Sequence, residues 1–85
     1  MKYKFHSDAG HGWLAVPIIH LENFNLMRKI SRFSYMNGQT AYLEEDCDAP
    51  LFIETYKSIN GKYPELVELV QKNNTSPIRN YKRFP

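Results

Sequence analysis

Ser31-Arg32-Phe33-Ser34-Tyr35-Met36-Asn37-Gly38-Gln39-Thr40-Ala41-Tyr42-Leu43-Glu44 is the stretch on which the fold turns. Asn-Gly best tolerates the two positive φ angles of a type I′ turn, and residues that favour strands flank it on both sides. A hairpin closed on Asn37-Gly38 pairs Met36 with Gln39, Tyr35 with Thr40 and Phe33 with Tyr42. Phe33, Tyr35, Thr40, Tyr42 and Glu44 then share one face. Ser34, Met36, Ala41 and Leu43 share the other with Arg32.

Upstream, Lys2, Lys4 and His6 alternate with Tyr3 and Phe5, the period of a half-buried strand. Ser7 to Gly12 is a loop of turn formers. Trp13 to Ile18 reads as a second strand with Pro17 at its end or on an edge, because proline has no N–H to donate. Leu21, Phe24 and Met27 are spaced for a short helix over His20–Ile30, which Asn23 and Asn25 weaken.

Downstream, Asp48-Ala49-Pro50 reads as a helix start: an acidic N-cap, then proline in the first turn. Phe52, Tyr56 and Ile59 repeat at helical spacing, and Asn60-Gly61 ends the helix with a left-handed cap. Pro64 opens a shorter helix to about Lys72, with Leu66, Val67, Leu69 and Val70 as its apolar side. The expected architecture is α+β: a small antiparallel sheet of three or four strands, with two or three helices packed mainly on one face.

Eighty-five residues suit one domain, expected over 1–74 and followed by a basic tail over 75–85. Residues 1–70 hold seven Lys/Arg against nine Asp/Glu, whereas 71–85 hold Lys72, Arg79, Lys82 and Arg83 and no acid. Such a segment is expected to fray into solvent or to meet an acidic surface. The lone Cys47 gives no internal disulfide and fits a reducing compartment. No apolar run suits a signal peptide or a membrane span, so the chain is expected in the cytoplasm.

Two polar clusters are the candidate chemistry. Tyr42-Leu43-Glu44-Glu45-Asp46-Cys47-Asp48 places four carboxylates within five positions at a strand-to-helix junction. Asp46 or Asp48 suits a helix cap and the glutamates suit solvent. A hard-metal site or a negative docking patch are the functional readings. His6, Asp8 and His11 offer imidazole and carboxylate ligands, but at no recognised zinc spacing. Four nearby carboxylates disfavour a Cys47 thiolate nucleophile.

Asp8, His11-Gly12-Trp13-Leu14, Val16, Ile30-Ser31, Ser34-Tyr35, Tyr42 to Asp48 and Phe52 together resemble a family of small uncharacterised proteins. Its members occur in phage, plasmid and bacterial accessory regions. The resemblance covers about residues 3–56 and implies a context, not a mechanism. The leading expectation is a non-enzymatic accessory protein, encoded by a phage or mobile element, that binds and modulates a host or defence protein. Its binding residues would be Asp8, His11, Trp13, Arg32, Tyr35, Glu44, Glu45, Asp46 and Asp48. No cofactor, metal ligand or catalytic residue is assigned. A homo-oligomer is a further expectation, and nucleic acid is not expected as the main partner of an acidic body. The alternatives are an oligomer that sequesters a nucleotide-like molecule with Trp13, Tyr35 and Arg32, and a metal-dependent hydrolase using His6, Asp8, His11 and the acidic cluster.

Overall fold

Period-two alternation does form the first strands. In the computed structural model, which describes residues 2–71 and 76–85, Lys2–Ser7 (β1) pairs antiparallel with Gly12–Pro17 (β2), placing Phe5 beside Leu14. Tyr35–Asn37 (β3) and Thr40–Glu44 (β4) form the hairpin, and β4 also pairs with β2. Glu65–Val70 (β5) lies parallel to β1, and Lys82–Arg83 (β6) lies antiparallel to β3. Ile18–Asn23 (α1) and Asp48–Asn60 (α2) are the α-helices among the described residues, and Met27–Lys29 and Pro77–Asn80 are 3-10 turns.

The sheet is therefore mixed and six-stranded, in the order β5-β1-β2-β4-β3-β6. This corrects the expected antiparallel sheet of three or four strands under two or three helices, since only α2 exceeds seven residues. The two additional strands come from segments read otherwise. Leu66, Val67, Leu69 and Val70 have helical spacing, but the segment extends along β1, whose outer backbone edge supplies the ladder and whose pairing suits β-branched valines. The basic segment expected to fray puts Ile78 and Phe84 into the interior and adds β6 to the far edge.

The hairpin is present, but its register differs. Asn37 stands opposite Thr40 and Tyr35 opposite Tyr42, so the two loop residues are Gly38 and Gln39. Gly38 has φ of 60°, while Asn25 is the only non-glycine with positive φ among the described residues. A positive φ at the first loop residue alone is the type II′ pattern, not type I′. The slip moves each pairing by two positions, an even number, and so leaves the faces unchanged. Ala41 and Leu43 are wholly buried on one face, whereas Tyr35 and Tyr42 lie half-buried on the other.

The aliphatic face holds the main core. Tyr3, Leu14, Val16, Ala41 and Leu43 cluster with Leu21 of α1, with Ala49, Phe52 and Tyr56 of α2, and with Phe84. Asn25 (φ 59°) ends α1 through bonds from its N–H to the Glu22 carbonyl and from the Leu26 N–H to the Leu21 carbonyl. That left-handed stop explains why the expected helix over His20–Ile30 closes early. Gly61 (φ 80°) closes α2 as expected, donating to the Lys57 carbonyl.

The second face has its own cover. β5 and β6 occupy opposite edges of the sheet. Residues 76–81, which lead into β6, run across this face: Tyr81 packs on Tyr42 with ring centres 5.1 Å apart, and the Arg79 guanidinium lies 5.5 Å from the Trp13 ring centre. Trp13 is only 2% exposed as a result. We refer to this crossing as the strap.

Candidate functional site: a cleft beside the strap

The strap is held by one carboxylate. Asp8 Oδ1 accepts the N–H groups of Gly10 and His11, forming a local turn. Its Oδ2 accepts the Ser76 N–H at 2.9 Å, and Arg79 binds both oxygens, Nε at 2.8 Å and Nη2 at 2.9 Å. The two-pronged fit suits the planar guanidinium, and the Asp8 side chain is left 1% exposed. The Arg79 bonds first, then the Ser76 N–H, hold the Asp8 carboxyl well below the usual carboxylate range.

A pH dependence follows. Because folding favours ionised Asp8, its contribution is present above the ordinary pKa of 3.8 and is lost as the pH falls below it. The urea midpoint of the wild type is expected to drop over this acid range. Asp8→Asn should start lower and decline less steeply. Parallel declines in the two proteins would remove the clamp from the explanation.

The acidic junction is also committed internally. The Glu44 carboxylate accepts the N–H groups of Asp46, Cys47 and Asp48, the donors that the start of α2 would otherwise leave unpaired. Burial pushes the Glu44 carboxyl up, but the Asp46, Asp48 and Cys47 N–H groups outweigh it and hold it low. Glu44 is thus the cap, which corrects the reading of Asp48 as the N-cap and of Glu44 as solvated. Asp48 lies inside the first turn, 3% exposed. Its Oδ2 accepts the Ser31 N–H and both the Ser31 and Ser34 hydroxyls. Ser34 in turn accepts the Glu44 N–H, which ties β4, the segment before β3 and α2 together.

Beside the strap these elements enclose a cleft of about 460 Å³, lined by His11, Trp13, Phe33, Tyr35, Glu44–Cys47, Arg79 and Arg83. Register builds it: Trp13 stands opposite Glu44, and Tyr35 opposite Arg83. The Arg83 guanidinium sits 4.7 Å from the Tyr35 ring centre. Gly12, on the cleft wall, lets the Phe5 ring of the core side pack against its backbone, since a Cβ there would come within 2.6 Å of that ring. Phe33 is 71% exposed at the rim.

Of the residues singled out in the sequence, His11, Trp13, Tyr35, Glu44, Glu45 and Asp46 meet at this cleft. Asp8 lies behind it through Arg79, and Asp48 lies beneath it in the serine network. Arg32 does not line the cleft; its backbone carbonyl accepts Arg83 Nη1 at 3.1 Å. Phe33, Arg79 and Arg83 were not anticipated. The basic run of the C-terminal segment signalled charge but gave no address for it.

Chemical options narrow accordingly. His6 turns to Tyr42, ring centres 5.9 Å apart, while His11 faces Trp13. Among the described residues no three His, Cys, Asp or Glu side chains are arranged to hold a metal ion. The Glu44 charge, then partial burial and the Asp48 and Asp46 charges, push the exposed Cys47 thiol up, away from a reactive thiolate. Among the described residues no helix is long and apolar enough to cross a membrane. A scan against protein-family models, a search of curated proteins and a search of solved structures each give no match.

Proposed function

We propose that this chain is a non-enzymatic binding protein that docks a partner protein at the cleft beside the strap. One observation carries the reading: the groups able to do chemistry are spent on structure, while the groups suited to contact stand open. Asp8 is taken by Arg79, Glu44 by three N–H groups and Asp48 by two serines. Phe33, Glu45 and Asp46 are exposed at the rim, and among the described residues no ion pair engages either carboxylate. An apolar side chain of the partner would sit on Phe33 and Tyr35, with a basic neighbour beside Glu45 and Asp46. The resemblance to accessory proteins of phage and plasmids supports a host or defence protein as that partner, met in the cytoplasm.

The test is capture from host lysate with wild type, Phe33→Ala, Glu45→Lys/Asp46→Lys and a remote control, Glu54→Lys. One specific protein should be retained by wild type and the control, lost at least tenfold by both cleft variants, and released by salt. Equal capture by all four proteins would reject the cleft.

A second reading, sequestration of a nucleotide-like molecule, draws on the cleft volume and on Arg83 against Tyr35. The volume lies within the roughly 300–1,000 Å³ usual for small ligands. The exposed Glu45 and Asp46 oppose a polyanion, so this reading ranks second. A nucleotide-induced rise in melting temperature, lost in Arg83→Ala, would reverse the order.

A further inference from the structure

The outer edge of β5 pairs with no other strand among the described residues. β5 is the first strand of the sheet, and all six of its residues are exposed. Leu66, Val67 and Leu69 are each 42% exposed and Val70 is 60% exposed. The Gln71 N–H donates to the Ser7 carbonyl, so odd-numbered residues turn their backbone groups toward β1. Alternation then points the N–H and C=O groups of Leu66, Glu68 and Val70 outward. Of the usual protections of an edge strand, β5 carries the two charges of Glu65 and Glu68 but has no lysine, no proline and no break in its register with β1.

The sequence of the strand selects its occupant. Leu66-Val67-Glu68-Leu69-Val70 is aliphatic in both directions from its centre, so an inverted copy matches it. In an antiparallel pair related by a two-fold axis normal to the sheet, each residue meets one on its own face. Centred on Glu68, that axis sets Leu66 against Val70 and Val67 against Leu69 of the second copy, so every flanking pair is apolar. Centred on Val67, it sets Leu66 against Glu68 and Glu65 against Leu69. Both registers join outward N–H and C=O groups across the axis, so the side-chain pairing chooses the first. We propose that two copies of this chain associate through β5, antiparallel about Glu68, into one sheet continuous across both molecules.

The geometry has a cost that identifies it. The two Glu68 side chains face each other on the axis, and like charges directly opposite weaken a strand pair. Sedimentation should show the wild type as a dimer whose association strengthens with salt and in Glu68→Gln, severalfold in the dissociation constant. Leu66→Lys and, on the opposite face, Val67→Lys should both be monomeric, with circular dichroism and melting showing that each is folded. Register is read by cross-linking in a Cys47→Ser background. Glu68→Cys should oxidise to a covalent dimer, since directly opposed backbones about 5.5 Å apart suit a disulfide. Leu66→Cys alone should not, but the Leu66→Cys/Val70→Cys double variant should. A wild type that stays monomeric at every concentration overturns the proposal, as does a dimer that persists in both folded lysine variants. Self-linking of Val67→Cys with none at Glu68→Cys overturns the register and the pairing with it.

Discussion

Asp48→Ala should lower the stability of this domain by about 2–5 kcal/mol, far more than loss of a simple helix cap. The side chain is 3% exposed, and its Oδ2 accepts three hydrogen bonds, from the Ser31 N–H, the Ser31 hydroxyl and the Ser34 hydroxyl. Ser34 is itself wholly buried, so its hydroxyl has no water to turn to once the carboxylate is gone. A buried polar group left unsatisfied costs about 1–3 kcal/mol, and here more than one is stranded. Losing an exposed N-cap costs only about 1 kcal/mol. Urea denaturation of Asp48→Ala and Asp48→Asn decides the matter. The asparagine, which keeps one acceptor oxygen, should recover part of the loss. An alanine variant within a few tenths of a kcal/mol of wild type would dismiss the network as a source of stability.

Phe84→Ala should be equally damaging, at about 3–5 kcal/mol, as expected for removing a fully buried ring. Phe84 is 1% exposed within the main core, and its N–H donates to the Ser34 carbonyl. A shift in urea midpoint at unchanged slope would measure the loss. A midpoint left in place would mean that β6 is a detachable appendage. The result also decides how binding by the basic segment can be studied. Deleting residues 76–85 would remove Ile78 and Phe84 along with Arg79, Lys82 and Arg83. Point changes of the exposed Lys82 and Arg83 are the cleaner probes.

These two residues mark where local sequence signals stop. The first two strands, the hairpin and α2 were legible because each rests on a short-range pattern: alternation, a glycine turn, or helical spacing closed by Gly61. The hairpin register was not, because Asn37-Gly38 favours a turn centred on itself, whereas the strands pair Asn37 with Thr40 and Tyr35 with Tyr42, and the two registers share the same faces, so the apolar pattern does not choose between them. β5 was misread because apolar residues at 66, 67, 69 and 70 fit a helix as well as a strand exposed on both faces. Six cleft residues were picked out in advance, since polar and aromatic residues concentrated at strand ends are visible in one dimension. The roles of Asp8 and Asp48 were hidden, because their partners lie up to 71 positions away.

That separation has a kinetic meaning. The clamp joins residues 8 and 79, so closing it requires ordering nearly the whole chain, and contacts of such range tend to form late on the folding route. An interaction absent from the rate-limiting step acts on the escape from the native state, not on its formation. Weakening Arg79 should therefore shorten the lifetime of the folded molecule while leaving the refolding rate nearly untouched. Release of the segment that covers Trp13 is then the natural first step of breakdown, and the indole would report it before the rest of the sheet comes apart.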